Sequence, residues 1–303
     1  MSEIIPAKEA STLLQVRPGK RFVLPKAATS FRSLKNLKRL DPQELKERAK
    51  AQIEGNLEAL KHAQELLYAS DTWSVLIIFQ AMDAAGKDGM IKHVMSGLNP
   101  QGCQVASFKK PSDEELDHTF LWRYWRHLPE RGRFGIFNRS YYEETLVVRV
   151  HPELVQRQKL PPGKRDADFW EDRWDDINSF ERHLVRNGTL ILKFFLHISR
   201  AEQKKRFLAQ LDRPEKHWKF NAADIEERQF WADYMRAYED TLNATSTEWA
   251  PWYVIPSDNK WASRAAVSGI ISLAIKKLNL KFPKPAKESV KQLTSARAKL
   301  LKE

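Results

Sequence analysis

A three-layer α/β/α fold on a five-stranded parallel sheet is what this sequence predicts, on three observations. Trp73 to Gln80 (WSVLIIFQ) is a short apolar, β-branched run of the kind buried on both faces of a parallel sheet. A turn of small residues and then a helix follow it directly, as in a strand–loop–helix unit. Further strand and helix signals then alternate to residue 278, the pattern of repeated crossovers rather than hairpins.

Residues 1–40 show no clear period and read as a basic N-terminal arm. A helix should start at Asp41, a capping residue, with Pro42 at the first helical position and Glu44 completing a capping box; it runs to about Tyr68. After the first strand a helix begins near Gly86, and Cys103 to Phe108 is a second strand. Ser112 with Glu115 forms another capping box and opens a helix through Leu128. Arg133 to Phe137 is the third strand, with a helical stretch from Tyr141. A helix from about Asp168 ends near Gly188, a glycine suited to terminate it. Thr189 to Ile198 and Trp252 to Pro256 are strands four and five, and Trp261 to Leu278 is a last helix. The helical excursion at about 200–245 is too large for a simple crossover and reads as an inserted lid. One domain thus spans 41–282, and the Lys-rich tail 283–303 is peripheral.

Composition narrows the function. The chain has 303 residues, 42% of them apolar, which suffices for a real core. Its longest apolar run, Val75 to Phe79, is too short to cross a bilayer, and the N-terminus lacks the apolar stretch of a secretory signal. Cys103 is the single cysteine, which excludes an intramolecular disulfide and a cysteine-based zinc site. The reading is cytoplasmic. Lys and Arg number 51 against 39 Asp and Glu, a net charge of +12. Residues 1–40 carry nine basic against two acidic residues, and 189–220 carry eight against three. Charge clustered in this way attracts a polyanion, whether nucleic acid, anionic membrane or a phosphate-rich small substrate.

Three segments carry chemistry. Gln80 to Gly89 (QAMDAAGKDG) sits where a phosphate-binding loop belongs, between a strand and a helix. Ala84, Ala85, Gly86, Asp88 and Gly89 permit close backbone approach to phosphate, and Lys87 reaches the β/γ-phosphates. Ala81 replaces the first glycine of the usual pattern, and Asp88 replaces the hydroxyl residue that holds Mg²⁺; Asp83 is the oxygen ligand available instead. Gly86-Lys87 as a plain helix start is the other reading of this stretch. At the end of the third strand, Asn138 stands where an aspartate usually meets metal, Glu143 restores the charge, and Arg139 is a forked phosphate donor. Asn138 and Ser140 also suit a helix cap. After the fourth strand, Arg200 and Lys204 lie four apart and share one helix face, either bent over the cleft or solvated. Lys109 and Lys110 could line a channel for a polyanion; each alone reads as a surface residue.

These pieces together resemble the polyphosphate kinase 2 family over most of the chain. The matching stretches are QAMDAAGKDG at 80–89, FKKPSDEELDHTFLWRYWRHLPERG at 108–132 and GIFNRSYYEE at 135–144. FLHISRAEQKKRFLAQLDRPEKHWKF at 195–220 and TSTEWAPWYVIPSDNKWASR at 245–264 complete the set. Asn138 with Glu143 resembles the family's third class, because the other classes usually place aspartate at the first position. The resemblance implies a P-loop kinase-like fold with a helical lid, and phosphorylation of AMP and ADP by inorganic polyphosphate. It implies Mg²⁺, or Mn²⁺ in its place, as cofactor and a homo-oligomer, dimer or tetramer, as the assembly. It carries the family's loop aspartate and lysine to Asp83 and Lys87, its strand-end arginine to Arg139 and its lid arginine to Arg200. The residues' own chemistry adds Asn138 and Glu143 to this catalytic set, tuning the metal or orienting the acceptor phosphate, and makes Asp83 and Asn138 the expected metal ligands. Two rivals stand beside it. An ATP-dependent nucleotide kinase explains loop and lid but not the breadth of clustered charge. A nucleic-acid-binding protein explains the charge, yet Trp122 and Trp125 alternate with Arg123 and Arg126 as core and rim residues do.

Overall fold

Five strands form one sheet in the order β2-β3-β1-β4-β5, every pairing parallel: β1 (Ser74–Ala81), β2 (Cys103–Ser107), β3 (Phe134–Asn138), β4 (Thr189–His197) and β5 (Trp252–Pro256). Each begins and ends within one residue of its sequence expectation. The computed structural model describes residues 3–34, 37, 38, 40–219 and 221–303. Met1, Ser2, Lys35, Asn36 and Arg39 of the basic arm, and Phe220 of the lid segment, lie outside the described residues. Central β1 is buried at every position, which is why its sequence is a continuous apolar run rather than an alternation. Phe79, Phe194 and Tyr253 stack from β1 across β4 to β5, with 5.5 Å between successive ring centres.

The helices are α1 (Ala7–Leu14), α2 (Pro42–Ser70), α3 (Lys87–Val94), α4 (Asp113–Leu116), α5 (Trp122–Trp125), α6 (Val147–Val150), α7 (Ala167–Arg186), α8 (Arg200–Leu211), α9 (Ala223–Glu226), α10 (Trp231–Thr245), α11 (Lys260–Lys276) and α12 (Lys287–Leu300). α1, α2 and α3 pack with α11, while α6 and α7 pack with α10, completing three layers. Asp41 caps α2 as expected, accepting from the amides of Gln43 and Glu44, with Pro42 first in the helix. Glu44 does not complete a return bond in that cap; its carboxylate pairs with Arg48 at 2.5 Å.

The helix expected from Ser112 through Leu128 is corrected. The Ser112–Glu115 capping box forms, but the helix lasts only through Leu116 and restarts at Trp122. Tertiary packing breaks it: Arg123 is buried against Glu115 at 3.2 Å and donates to the Lys109 carbonyl at 2.9 Å, while Tyr124 packs on Phe108. A single straight helix could not deliver both residues to the end of β2.

Two arrangements set the position of the site. Residues 15–31 run from β5 across α10 to the turn after β5: the Val16 amide donates to the Trp252 carbonyl at 2.8 Å, the Leu24 amide to Glu239 at 2.9 Å, and Thr29 to Asp258 at 2.8 Å. Beneath the turn that follows β3, Glu181 of α7 and Lys193 of β4 form a wholly buried ion pair at 2.6 Å. Tyr141 and Tyr142 donate to Glu181 at 2.8 and 2.7 Å, so the turn is bolted to two neighbouring elements. The tail helix α12 is exposed along the length described apart from half-buried Ser289. Among the described residues, no helix is long and apolar enough to cross a membrane.

Candidate functional site

Ligands of open parallel sheets bind where the strand order reverses, outside the carboxyl ends of the strands. Here that place is the end of β1, flanked by β3 and β4. The loop Met82–Gly86 turns sharply: Ala84 has φ 58° and Gly86 φ 103°. Glycine takes the second value without strain, whereas alanine at the first pays a cost the surroundings must hold. Gly86 is the N-cap of α3 and offers no side chain, so the first amides of this helix face outward as an anion site would require. The alternative of a plain helix start does not account for this shape.

The side chains named from sequence at the ends of β1 and β3 converge. Arg139, itself at φ 65°, bonds Asp83 at 3.1 Å through one nitrogen and Glu143 at 3.3 Å through the other. Glu143 and Asp83 hold its guanidinium above even its usual range against the opposing effect of burial. Lys87 donates to the Ala81 carbonyl at 3.0 Å. Burial and then nearby Arg139 lower its pKa, with Asp83, Glu143 and Asp88 opposing. Two cations are thus held beside two carboxylates at one strand edge.

The acidic residue that replaces the loop's hydroxyl and the neutral residue that replaces the strand-end aspartate meet each other. Asn138 donates from Nδ2 to Asp88 Oδ1 at 2.9 Å. An aspartate at 138 would set two carboxylates against each other there, so the neutral residue at the end of β3 complements the acidic residue in the loop. That bond leaves Asn138 Oδ1 as its one atom for a metal. The loop after β2 joins the same edge, with the Phe108 amide donating to the Asn138 carbonyl at 3.1 Å; Lys109 and Lys110 are exposed there.

The start of α8 differs from expectation. Arg200 and Lys204 do share a face, and both are exposed; Arg200 donates to the Arg228 carbonyl at 3.3 Å. The face against the phosphate loop belongs to Gln203 and Arg206, 1% and 7% exposed. Gln203 donates to the Asp83 carbonyl at 2.9 Å, and Arg206 to those of Ala84 and Ala85 at 3.2 and 2.7 Å. Sequence reasoning missed both. Buried Phe207 was the available signal, because a residue four positions earlier must share its face. Asp224 of α9 was missed as well: burial and then Asp83 raise its carboxyl to about 6, with Arg139 and Lys87 opposing. A carboxylate of α9 therefore lies within electrostatic reach of the loop.

The family model for polyphosphate kinase 2 matches residues 43–283. An ADP-polyphosphate phosphotransferase of Rhodopseudomonas palustris is 54% identical over 266 residues, covering 87% of this chain and 92% of that protein. An AMP/ADP-polyphosphate phosphotransferase of Meiothermus ruber is 47% identical over 232 residues, covering 77% and 83%. The crystal structure of polyphosphate kinase 2 from Arthrobacter aurescens TC1 superposes with a TM-score of 0.86 at 36% identity, covering the whole of both chains. The family, the fold and the enzyme class read from the sequence are borne out.

Proposed function

The chain belongs to the polyphosphate kinase 2 family, and on that premise we propose that it moves a phosphoryl group from inorganic polyphosphate to AMP and to ADP. The observation that carries the reading is the Arg139 fork across Asp83 and Glu143, beside half-buried Lys87. Both substrates are polyanions, and phosphoryl transfer asks little covalent work of a protein. Lys87 and Arg139 neutralise the phosphates and hold them in line, while Arg200, exposed at the start of α8, meets the polymer beyond them. No general base is needed, since a nucleotide phosphate oxygen is already ionised near neutral pH. Lys109, Lys110 and Lys204 lie exposed where a long polymer would pass. The enzyme is cytoplasmic and works as a dimer or tetramer of this chain.

A divalent cation fits the donor set. Among the described residues no group of three or more His, Cys, Asp and Glu forms a ready-made cage. Mg²⁺ does not ask for one, because it binds through one or two carboxylates and completes its shell with water and substrate phosphates. Asp83 would hold it, with Asn138 Oδ1 as the neutral partner, and Mn²⁺ suits the same oxygens. The cation supplies positive charge to the phosphate oxygens; positioning remains the work of Lys87, Arg139 and the loop amides.

The test is an incubation of purified protein with Mg²⁺, polyphosphate and AMP, free of any nucleoside triphosphate, with the products resolved over time. ADP and then ATP are expected. Turnover that requires an added nucleoside triphosphate would make the protein an ATP-dependent kinase instead.

A further inference from the structure

The loop Met82–Gly86 lacks the first glycine of the usual phosphate-loop pattern and holds Ala84 at positive φ, so its shape must be imposed from outside. The restraint comes from α8. Three successive carbonyls, those of Asp83, Ala84 and Ala85, point at this helix and are taken by Gln203 and Arg206. Every nitrogen of Arg206 is engaged: Nε with Glu202 at 2.9 Å, one terminal nitrogen with the loop, and the other with the Ser257 carbonyl after β5 at 2.5 Å. Gln203 is oriented in turn by Arg228, which donates to its Oε1. A trans peptide directs its C=O and its N–H to opposite sides. Drawing these carbonyls to α8 therefore turns the amides of Ala84 and Gly86 to the other side, while that of Ala85 closes the turn on Met82 at 3.2 Å.

We propose that Arg206, assisted by Gln203, is the positioning residue that shapes this phosphate loop, so that α8 is the loop's fixed outer wall rather than part of a moving lid. It rests on the polyphosphate reading of the site for its substrate, but its chemistry is general: a guanidinium grips carbonyls so that amides can grip phosphate. A lysine supplies the charge with no planar fork, and cannot hold two loop carbonyls and the β5 turn together.

The test compares Arg206→Lys, Arg206→Met and Gln203→Leu with the parent chain. Tripolyphosphate binding is measured by calorimetry without nucleotide, the KM for polyphosphate and kcat are measured separately, and thermal melting is followed alongside. Tripolyphosphate is the probe because it reads the loop without turnover, so a failure of the transfer reaction and a failure of this proposal remain distinct. In folded protein, Arg206→Met and Arg206→Lys should each weaken tripolyphosphate at least tenfold and raise the polyphosphate KM, with the KM for AMP changed less than threefold. Gln203→Leu should shift binding the same way by about threefold, and it decides the matter if the Arg206 variants do not fold. Tripolyphosphate affinity within twofold of the parent overturns the proposal, as does full rescue by lysine, which would mean that charge alone suffices.

Discussion

Two polar segments follow strand ends at the site, and they behave differently. After β3, the residues that sequence singled out come together at the loop: Asn138 bonds Asp88, Arg139 bonds Asp83, and Glu143 holds Arg139 from behind. After β4, the singled-out pair Arg200 and Lys204 faces outward, and the contacts come from Gln203 and Arg206. The first segment is a tight turn whose start is pinned by sheet register, Phe79 opposite Asn138. Neighbours in sequence there are neighbours in the site. The second is a helix, where spacing tells which residues share a face but not which face looks inward. Its phase is set by what Phe207 must bury, a tertiary fact.

The sharpest test of this contrast sets the strand-end cations against the outward lid cation. Lys87→Ala and Arg139→Ala should each lower kcat by about 10²–10³ with melting little changed, since removing one preorganised donor at such a site has that cost. Lys204→Ala should keep kcat within twofold, with any loss confined to the KM for long polyphosphate. Steady-state kinetics on the three variants decide it: a loss at Lys204 as large as at Lys87 would return the outward face of α8 to the chemistry.

Asp83→Asn comes next. Arg139 remains bonded to Glu143, so the turn after β3 keeps one anchor. The Mg²⁺ concentration for half-maximal activity should rise about tenfold, in keeping with the loss of one carboxylate from a site that has few. An unchanged Mg²⁺ titration would remove Asp83 as a metal ligand.

A smaller effect tests the Asn138–Asp88 pair. Asn138→Asp places two carboxylates at hydrogen-bond distance on a partly exposed edge, a repulsion of about 1–2 kcal/mol after screening. kcat/KM should fall roughly tenfold, and a second change, Asp88→Asn, should recover most of it. Equal activity of the single and double variants would mean that the two positions act independently.

Much of this molecule was legible because its signals are local. Four of the five strands are largely apolar runs, β2 with its exposed Gln104 and Ser107 being the exception, and Asp41-Pro42 states its cap in two letters. The break between Leu116 and Trp122 was not, because it serves contacts of Arg123 with Glu115 and Lys109 that only the folded chain brings together. Leu24 and Phe31 are wholly buried and were equally illegible, because they stand singly in a segment without a period to announce them. In the site, charge type and strand-end position named the cluster at the ends of β1 and β3, whereas Arg206 read as one more member of a basic run.

Asp224 of α9 extends the contrast to a third element near the loop, with the smallest expected effect. Burial, and then the charge of Asp83, raise its carboxyl from an ordinary 3.8 to about 6. A carboxyl with a higher pKa in the folded chain than in the unfolded one holds its proton more tightly when folded. Its ionisation therefore costs the fold nothing below about pH 3.8; the cost grows as pH rises and is complete above about pH 6. A shift of about two units corresponds to roughly 3 kcal/mol at full weight, and partial exposure screens that to about 1 kcal/mol. Asp224→Asn cannot ionise and escapes the cost. Its melting temperature should exceed the parent's by about 1–3 °C at pH 8, with the gap narrowing steadily towards pH 5. Melting curves at four or five pH values, taken without substrate, check the sign directly. A gap independent of pH would mean that the variant acts by packing alone, and a lower melting temperature at pH 8 would mean that the ionised carboxylate is a favourable partner of Lys87 and Arg139 rather than a strained neighbour of Asp83.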